Sequence, residues 1–315
     1  MINFNDRLNA ALAGTAVTAA LVISQPLVSM AFNGQKLSQI TREITILVSS
    51  SNGQNGSGVI IDKQDDIYYV LTANHVTRNL EGRDGKIEYK AVTHDKETYE
   101  IDHSTIKPVG NNLDMAVFQF RSKKRYPVAT ISTSELAVTT PVFVSGWQRP
   151  GAVNPDKATR QVTSSRVTTI LEEPSNGGYQ IGYDNTTLGG MSGGPVVDRE
   201  GRLVGIHGLA DNDRPENLGF QSGEIDPSLL NTGFNYGIPI TTFLANQYKT
   251  GLSFSLDLEN DPAKAFTGDS SIPTDPEKDE ISDLNNVLTN ANSWIDTGSE
   301  IKDTFKRGCG LLGIC

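Results

Sequence analysis

The chain is predicted to be all-β, and three features of its 315 residues predict it. Between Ile44 and Ile240, short runs of β-branched and aromatic residues recur; Gly, Asn, Asp and Pro separate them; and the three- and four-residue spacing of an amphipathic helix emerges clearly only after residue 280.

In chain order, the first segment stands apart. Leu8 to Phe32 carries no charge, follows Arg7 and ends in Ser29-Met30-Ala31, the small residues a signal peptidase reads. Residues 1–31 are therefore expected to be an export signal. The alternative is a membrane anchor, which Gln25-Pro26 and the interspersed Thr and Asn residues weaken. Strands are then expected at Glu43–Val48, Gly58–Asp62, Tyr68–Ala73, Ile87–Ala91, Met115–Phe120, Val142–Gly146, Gln161–Leu171, Gln180–Asp184, Pro195–Val197 and Leu203–His207, each rich in Val, Ile, Tyr or Phe. Asp198-Arg199-Glu200-Gly201 should turn one strand into the next, since glycine accepts the positive φ of a tight hairpin. Phe234 to Ile240 reads as the last strand, and Thr241–Tyr248 as a closing helix.

Beyond Gly251 the composition changes. Residues 251–279, rich in Asp, Pro, Ser and Gly, read as an acidic flexible linker. In residues 280–315, Ile281, Leu284, Leu288, Ala291 and Ile295 form the stripe of an amphipathic helix. Such a helix either docks back on the β domain of residues 32–250 or serves self-association or partner binding.

The formal net charge of −10 is uneven: residues 251–315 hold 12 acids and 5 bases, whereas residues 32–250 hold 24 acids and 21 bases. A mildly acidic β domain without a basic stripe argues against nucleic acid as a partner. Only Cys309 and Cys315 occur, so the β domain must fold without disulfides.

Three polar residues interrupt this scaffold in a chemically telling order. His75 follows the apolar run Tyr68-Tyr69-Val70-Leu71-Thr72-Ala73-Asn74, Asp114 precedes Met115-Ala116-Val117, and Ser192 sits in Gly189-Gly190-Met191-Ser192-Gly193-Gly194-Pro195. A serine hydroxyl becomes a nucleophile only when a base takes its proton, and that base must be held in one tautomer by a third group. The backbone N–H groups of Gly190 and Ser192 would receive the negative charge that acyl transfer develops on a carbonyl oxygen. Such chemistry needs no metal or other cofactor.

The run Tyr183 to Val196, the block Leu71-Thr72-Ala73-Asn74-His75, the Gly56-Ser57-Gly58 entry and Val144-Ser145-Gly146-Trp147 resemble the trypsin-like serine peptidases, and more narrowly the bacterial glutamyl endopeptidases. The resemblance covers roughly residues 42–250. It implies two six-stranded antiparallel β-barrels with His75, Asp114 and Ser192 in the cleft between them, and polypeptides as substrates. It also implies that Thr187 and His207 line a pocket for an acidic side chain, where trypsin-like pockets for Lys or Arg place an acid at the position held here by Thr186. Three departures stand out. Gly208 replaces the subfamily's Trp, Met191 replaces the acid of zymogen-activated trypsins, and the connection from Asp211 to Thr232 is long. A rival expectation is a peptide-binding module whose tail or long connection blocks turnover. Heat-shock-type proteases share the barrels but usually append a peptide-binding β-domain, for which residues 251–315 offer only linker and helix.

Overall fold

The computed structural model describes residues 34–51, 53–78, 87–149, 157–220 and 223–261, together with the backbone of 280–282. The expected leader 1–31, both cysteines and nearly all of the expected C-terminal helix lie outside the described residues. Of that helix, Glu280–Ser282 is a short strand instead.

Helix α1 (Gly34–Ile44) precedes the first strand and was not expected from the sequence. Leu37, Thr41 and Ile44 bury one face at helical spacing. Seven strands follow in one antiparallel sheet: β1 (Thr45–Ser50), β2 (Asn55–Gln64), β3 (Ile67–Thr72), β4 (Tyr89–Val92), β5 (Thr98–Ile101), β6 (Lys107–Pro108) and β7 (Ala116–Arg121). Their order is β5-β4-β1-β2-β3-β7-β6. Between β3 and β4 lies the one-turn helix α2 (Asn74–Arg78).

The second sheet contains β8 (Thr130–Ser132), β9 (Pro141–Gln148), β10 (Lys157–Ile170), β11 (Ile181–Tyr183), β12 (Pro195–Val197), β13 (Leu203–Leu209) and β14 (Asn235–Pro239). The order β12-β9-β10-β11-β14-β13 returns to β12, so these six strands close a barrel. The all-β, two-barrel expectation holds, with one refinement: the first sheet is a curled half-barrel whose ends no ladder joins among the described residues. Helix α3 (Ile240–Asn246) closes the domain where a helix was expected. The turn after β12 also forms as expected: Gly201 has φ +84°, and the Asp198 carboxylate accepts from the N–H groups of Glu200 and Arg202.

Three large apolar clusters and a small fourth, Leu47, Val92, Trp147 and Ala158, hold this together. One, with Ile46, Ile60, Val70, Phe118 and Tyr68 stacked on Phe120 at 5.0 Å, fills the first sheet. Another, with Val142, Val144, Ile181, Tyr183, Met191 and Val196, fills the closed barrel. The largest joins residues of both sheets, from Val59, Leu71 and Val117 to Phe143, Ile206 and Ile238. Strands buried on both faces explain why β1, β3, β9 and β13 read as continuous apolar runs.

The expected linker needs correction at its start. Residues 252–261 lie along both sheets: Leu252, Phe254 and Leu256 pack on the shared cluster, and Phe254 meets Tyr69 edge-on at 5.5 Å and Phe243 at 5.6 Å. Ser255 N–H donates to Asp62 at 2.9 Å, and Gln64 donates to the Ser253 carbonyl at 2.8 Å. Strand β15 (Asp257–Glu259) then pairs in parallel with β8, which itself pairs in parallel with β13. Alternating Leu-Ser-Phe-Ser-Leu is a strand pattern, obscured in the sequence by the acidic stretch around it. Strand β16 (Glu280–Ser282) adds to the start of β10. Among the described residues, no helix is long and apolar enough to cross a membrane.

Candidate active site

His75 is placed by the end of β3. The strand delivers it into α2, where its backbone N–H donates to Asp114 Oδ1 at 2.7 Å and its ring Nδ1 lies 2.6 Å from Asp114 Oδ2. One carboxylate thus orients both the main chain and the imidazole of His75. Asp114 stands just before β7, whose pairing with β3 sets Thr72 opposite Ala116 and so brings the two loops side by side. Both side chains are almost fully buried. Burial alone would raise the Asp114 pKa, yet the interaction with His75 and hydrogen bonds from His75 and Tyr179 hold it below the usual carboxylate value. Among the described residues, the ring Nε2 of His75 has no hydrogen-bond partner.

The loop that carries Ser192 is held against the strand leading to His75 by its glycines, and among the described residues no hydrogen bond joins the Ser192 hydroxyl to His75. A Cβ on Gly193 would lie 2.2 Å from the Ser57 carbonyl oxygen and 2.8 Å from the Ala73 nitrogen, so only glycine lets the loop touch the strand that leads to His75. Ser57 N–H donates to the Ser192 carbonyl at 2.8 Å, Ser57 Oγ donates to the Gly190 carbonyl at 2.8 Å, and Gly193 N–H donates to the His207 carbonyl at 2.7 Å. Gly190 takes φ +101°, and a Cβ there would sit 2.6 Å from the Trp147 carbonyl oxygen. No hydrogen bond among the described residues uses the N–H of Gly190 or of Ser192. These are the two donors expected to face a developing oxyanion.

The residues expected to line the specificity pocket fall in two hydrogen-bonded groups. His207, on β13, has Nδ1 2.9 Å from the hydroxyl of Tyr183 on β11, and burial pushes its pKa down to about 3. Its imidazole is therefore neutral near pH 7. The Tyr183 proton has no other acceptor among the described residues, so Tyr183 donates to Nδ1 and His207 carries its own proton on Nε2. Thr187 donates to Asn235 Oδ1 at 3.0 Å, and Asn235 also accepts from Asp211 N–H and donates to the Asn185 carbonyl. The Thr187 proton is thus committed to Asn235.

Several residues here escaped the sequence reading. Tyr179 donates to Asp114 Oδ2, the same oxygen that His75 Nδ1 meets. Asn235 was hidden inside an apolar strand, where a lone inward polar side chain was the available signal. The long connection is a folded excursion tied at its base, since the Asp211 carbonyl accepts from Asn231 N–H and the Asp211 carboxylate from Gly233 N–H. It carries Phe220 to 5.2 Å from the His75 ring, and Glu224 forms a two-point ion pair with Arg78. A cleft of about 270 Å³ lies beside the His75–Asp114 pair, lined among others by Asn74, Arg78, Asn112, Asn176, Phe220 and Glu224.

With this geometry in view, comparison with known proteins gives a direct result: residues 56–206 match the trypsin-like peptidase domain family. The chain carries a trypsin-like peptidase domain. Within the trypsin-like domain the matched span runs from the glycine entry of β2 to β13 and so contains His75, Asp114 and Ser192. Among curated relatives, the serine protease Do-like HtrB of Bacillus subtilis is 27% identical over 179 residues, covering 54% of this chain and 37% of that protein. A glutamyl endopeptidase of Staphylococcus epidermidis is 26% identical over 172 residues, covering 50% of this chain and 55% of its own. The Do-like HtrA of Bacillus subtilis is 27% identical over 181 residues, covering 55% of this chain and 38% of that protein. The chain thus spans between about a third and about half of the length of these relatives, and the identities do not separate the two kinds.

Proposed function

We propose that the protein is a serine endopeptidase working through an acyl-enzyme. The observation that carries this is the double grip of Asp114 on His75, through the backbone N–H and ring Nδ1, which leaves Nε2 without a partner among the described residues, while the glycine loop of Ser192 packs on the strand that ends at His75. In this reading Ser192 Oγ attacks the scissile carbonyl, His75 Nε2 takes its proton and later gives it to the leaving amine, and Asp114 supports the imidazolium. The unused N–H groups of Gly190 and Ser192 receive the oxyanion. Polypeptides are the substrates, no metal or cofactor is needed, and residues 1–31 direct export.

A preference for Glu or Asp before the scissile bond belongs to the same reading. Its support is the Tyr183–His207 pair, which leaves an Nε2–H donor without adding a fixed positive charge. The test is fluorophosphonate labelling of the full chain followed by hydrolysis of matched Glu, Gln and Lys peptides. Labelling should vanish in Ser192→Ala, where turnover should fall on the order of 10⁶-fold. His207→Ala should leave labelling intact and shrink the Glu-over-Gln preference by roughly 1–3 kcal/mol. An unlabelled wild-type protein that still binds peptides would instead favour a non-catalytic module, with Phe220 against His75 as the obstruction. Retention of Met1 in a membrane fraction would argue for an anchor over a cleaved leader.

A further inference from the structure

We propose that Tyr179 is a positioning residue for the His75–Asp114 pair: its buried hydroxyl holds the Asp114 carboxylate facing the imidazole, from the space that Gly208 leaves open. The proposal deepens the endopeptidase reading and rests on it for the kinetic part of its test.

The local chain is built around this contact. Gly177 and Gly178, at φ +79° and +88°, form a turn in which Gly178 N–H donates to the Ser175 carbonyl and Ser175 N–H to the Tyr179 carbonyl. The same turn grips Asp114, whose backbone N–H donates to the Gly177 carbonyl at 2.8 Å. A Cβ on Gly177 would lie 2.9 Å from the Tyr179 ring, and one on Gly178 would lie 2.7 Å from the Leu113 side chain. Two successive glycines therefore let one turn hold the main chain of Asp114 and insert the ring whose hydroxyl reaches its carboxylate. Gly208 completes the arrangement. A Cβ there would stand 2.4 Å from the phenol oxygen and 2.5 Å from the ring, so Tyr179 fills the volume that any other residue at 208 would occupy.

The chemistry fits a donor that never titrates near neutrality. Burial first, then the Asp114 charge, raises the Tyr179 pKa well above its ordinary value, so the phenol always presents O–H to the carboxylate. Asp114 then accepts three hydrogen bonds: His75 N–H on Oδ1, and His75 Nδ1 with Tyr179 O–H on Oδ2. A buried carboxylate needs such partners to stay ionised and in place. The other titratable groups that act on this cluster are Asp213, His207 and Tyr183. None of them makes a hydrogen bond to Asp114 among the described residues.

Tyr179→Phe in the full chain isolates the hydroxyl, because the ring is fully buried in the shared apolar cluster and keeps its packing. Three readouts decide it: kcat and KM on a peptide substrate, the rate of fluorophosphonate labelling, and the low-field proton NMR signal of His75 Nδ1–H. The expected result is a KM within twofold of wild type, a kcat and labelling rate lower by about tenfold or more, and a displaced low-field signal. Incorporating 3-fluorotyrosine at 179, a stronger donor, should restore kcat and move the signal in the opposite sense. Gly208→Ala, which displaces the phenol, should reproduce the Tyr179→Phe kinetics. Unchanged kcat and an unmoved signal in Tyr179→Phe would overturn the proposal. So would a loss of labelled fraction with kcat per labelled site intact, the mark of a merely structural ring. Should the wild-type chain neither label nor hydrolyse peptides, the endopeptidase reading fails, while the His75 signal still decides whether Tyr179 sets the pair.

Discussion

Tyr179 and Tyr183 lie four residues apart, and both put a buried hydroxyl on an ionisable partner in the peptidase domain. The partners differ. Tyr179 donates to Asp114, a carboxylate kept ionised by three donors, whereas Tyr183 donates to His207, an imidazole kept neutral by burial. In the first network the charge is retained because its hydrogen bonds and its partner outweigh desolvation. In the second, desolvation is the first cause of the shift and the nearby His75 adds to it, so the ring gives up its charge. The same residue type at the same depth thus serves a charged carboxylate in one network and an uncharged imidazole in the other.

The largest effect that sharpens this contrast is Asp114→Asn. The amide has only one acceptor oxygen: facing Nδ1–H and Tyr179 it sets its NH2 against the His75 backbone N–H, and flipped it donates to Nδ1 and fixes the wrong tautomer, so kcat should drop by about 10⁴-fold with the fold preserved. Active-site titration alongside circular dichroism checks it, and a loss below tenfold would mean that the charged network is dispensable.

Acid stability separates the two networks next. The folded pKa of His207 is about 3, below the ordinary 6.5, so the unfolded chain binds that proton first and stability falls as the pH drops from about 6.5 towards 3. The slope should be about 1.4 kcal/mol per pH unit from this group alone. Asp114, whose folded pKa is depressed below 3.8, contributes stability that is lost only as the pH falls below that value. Urea unfolding of a Ser192→Ala background between pH 7.5 and 4.5 should therefore weaken steadily, and His207→Gln should flatten the curve. Parallel curves for the two proteins would show that His207 is not held neutral.

The smallest expected effect is Tyr183→Phe. Removing this hydroxyl frees His207 to place its proton on either nitrogen, so the Glu-over-Gln preference should fall by about 1 kcal/mol while kcat on the better substrate changes little. An equal loss on both peptides would place Tyr183 with Tyr179 and erase the distinction between the networks.

Legibility followed the range of the interaction. His75 was readable because an apolar strand ends in Leu-Thr-Ala-Asn just before it, and Ser192 because four glycines and a proline surround it. Tyr179 was not, since its partner lies 65 residues away and its only local mark is Gly177-Gly178. The segment 252–261 has the composition of a linker, while its alternating Leu, Phe and Leu find a surface made largely by residues more than a hundred positions earlier.

By itself the sequence determined the all-β class, the order of His75, Asp114 and Ser192, and the glycine loop, because each rests on a short-range rule of backbone conformation or residue chemistry. Only the tertiary structure decided that the first sheet stays a half-barrel while the second closes, that Tyr183 meets His207 and Asn235 meets Thr187, and that Asp114 accepts from Tyr179 besides His75. Those outcomes depend on which buried polar atoms meet across the fold. A polar atom taken out of water must find whatever partner the packing brings, and a linear pattern does not record that choice.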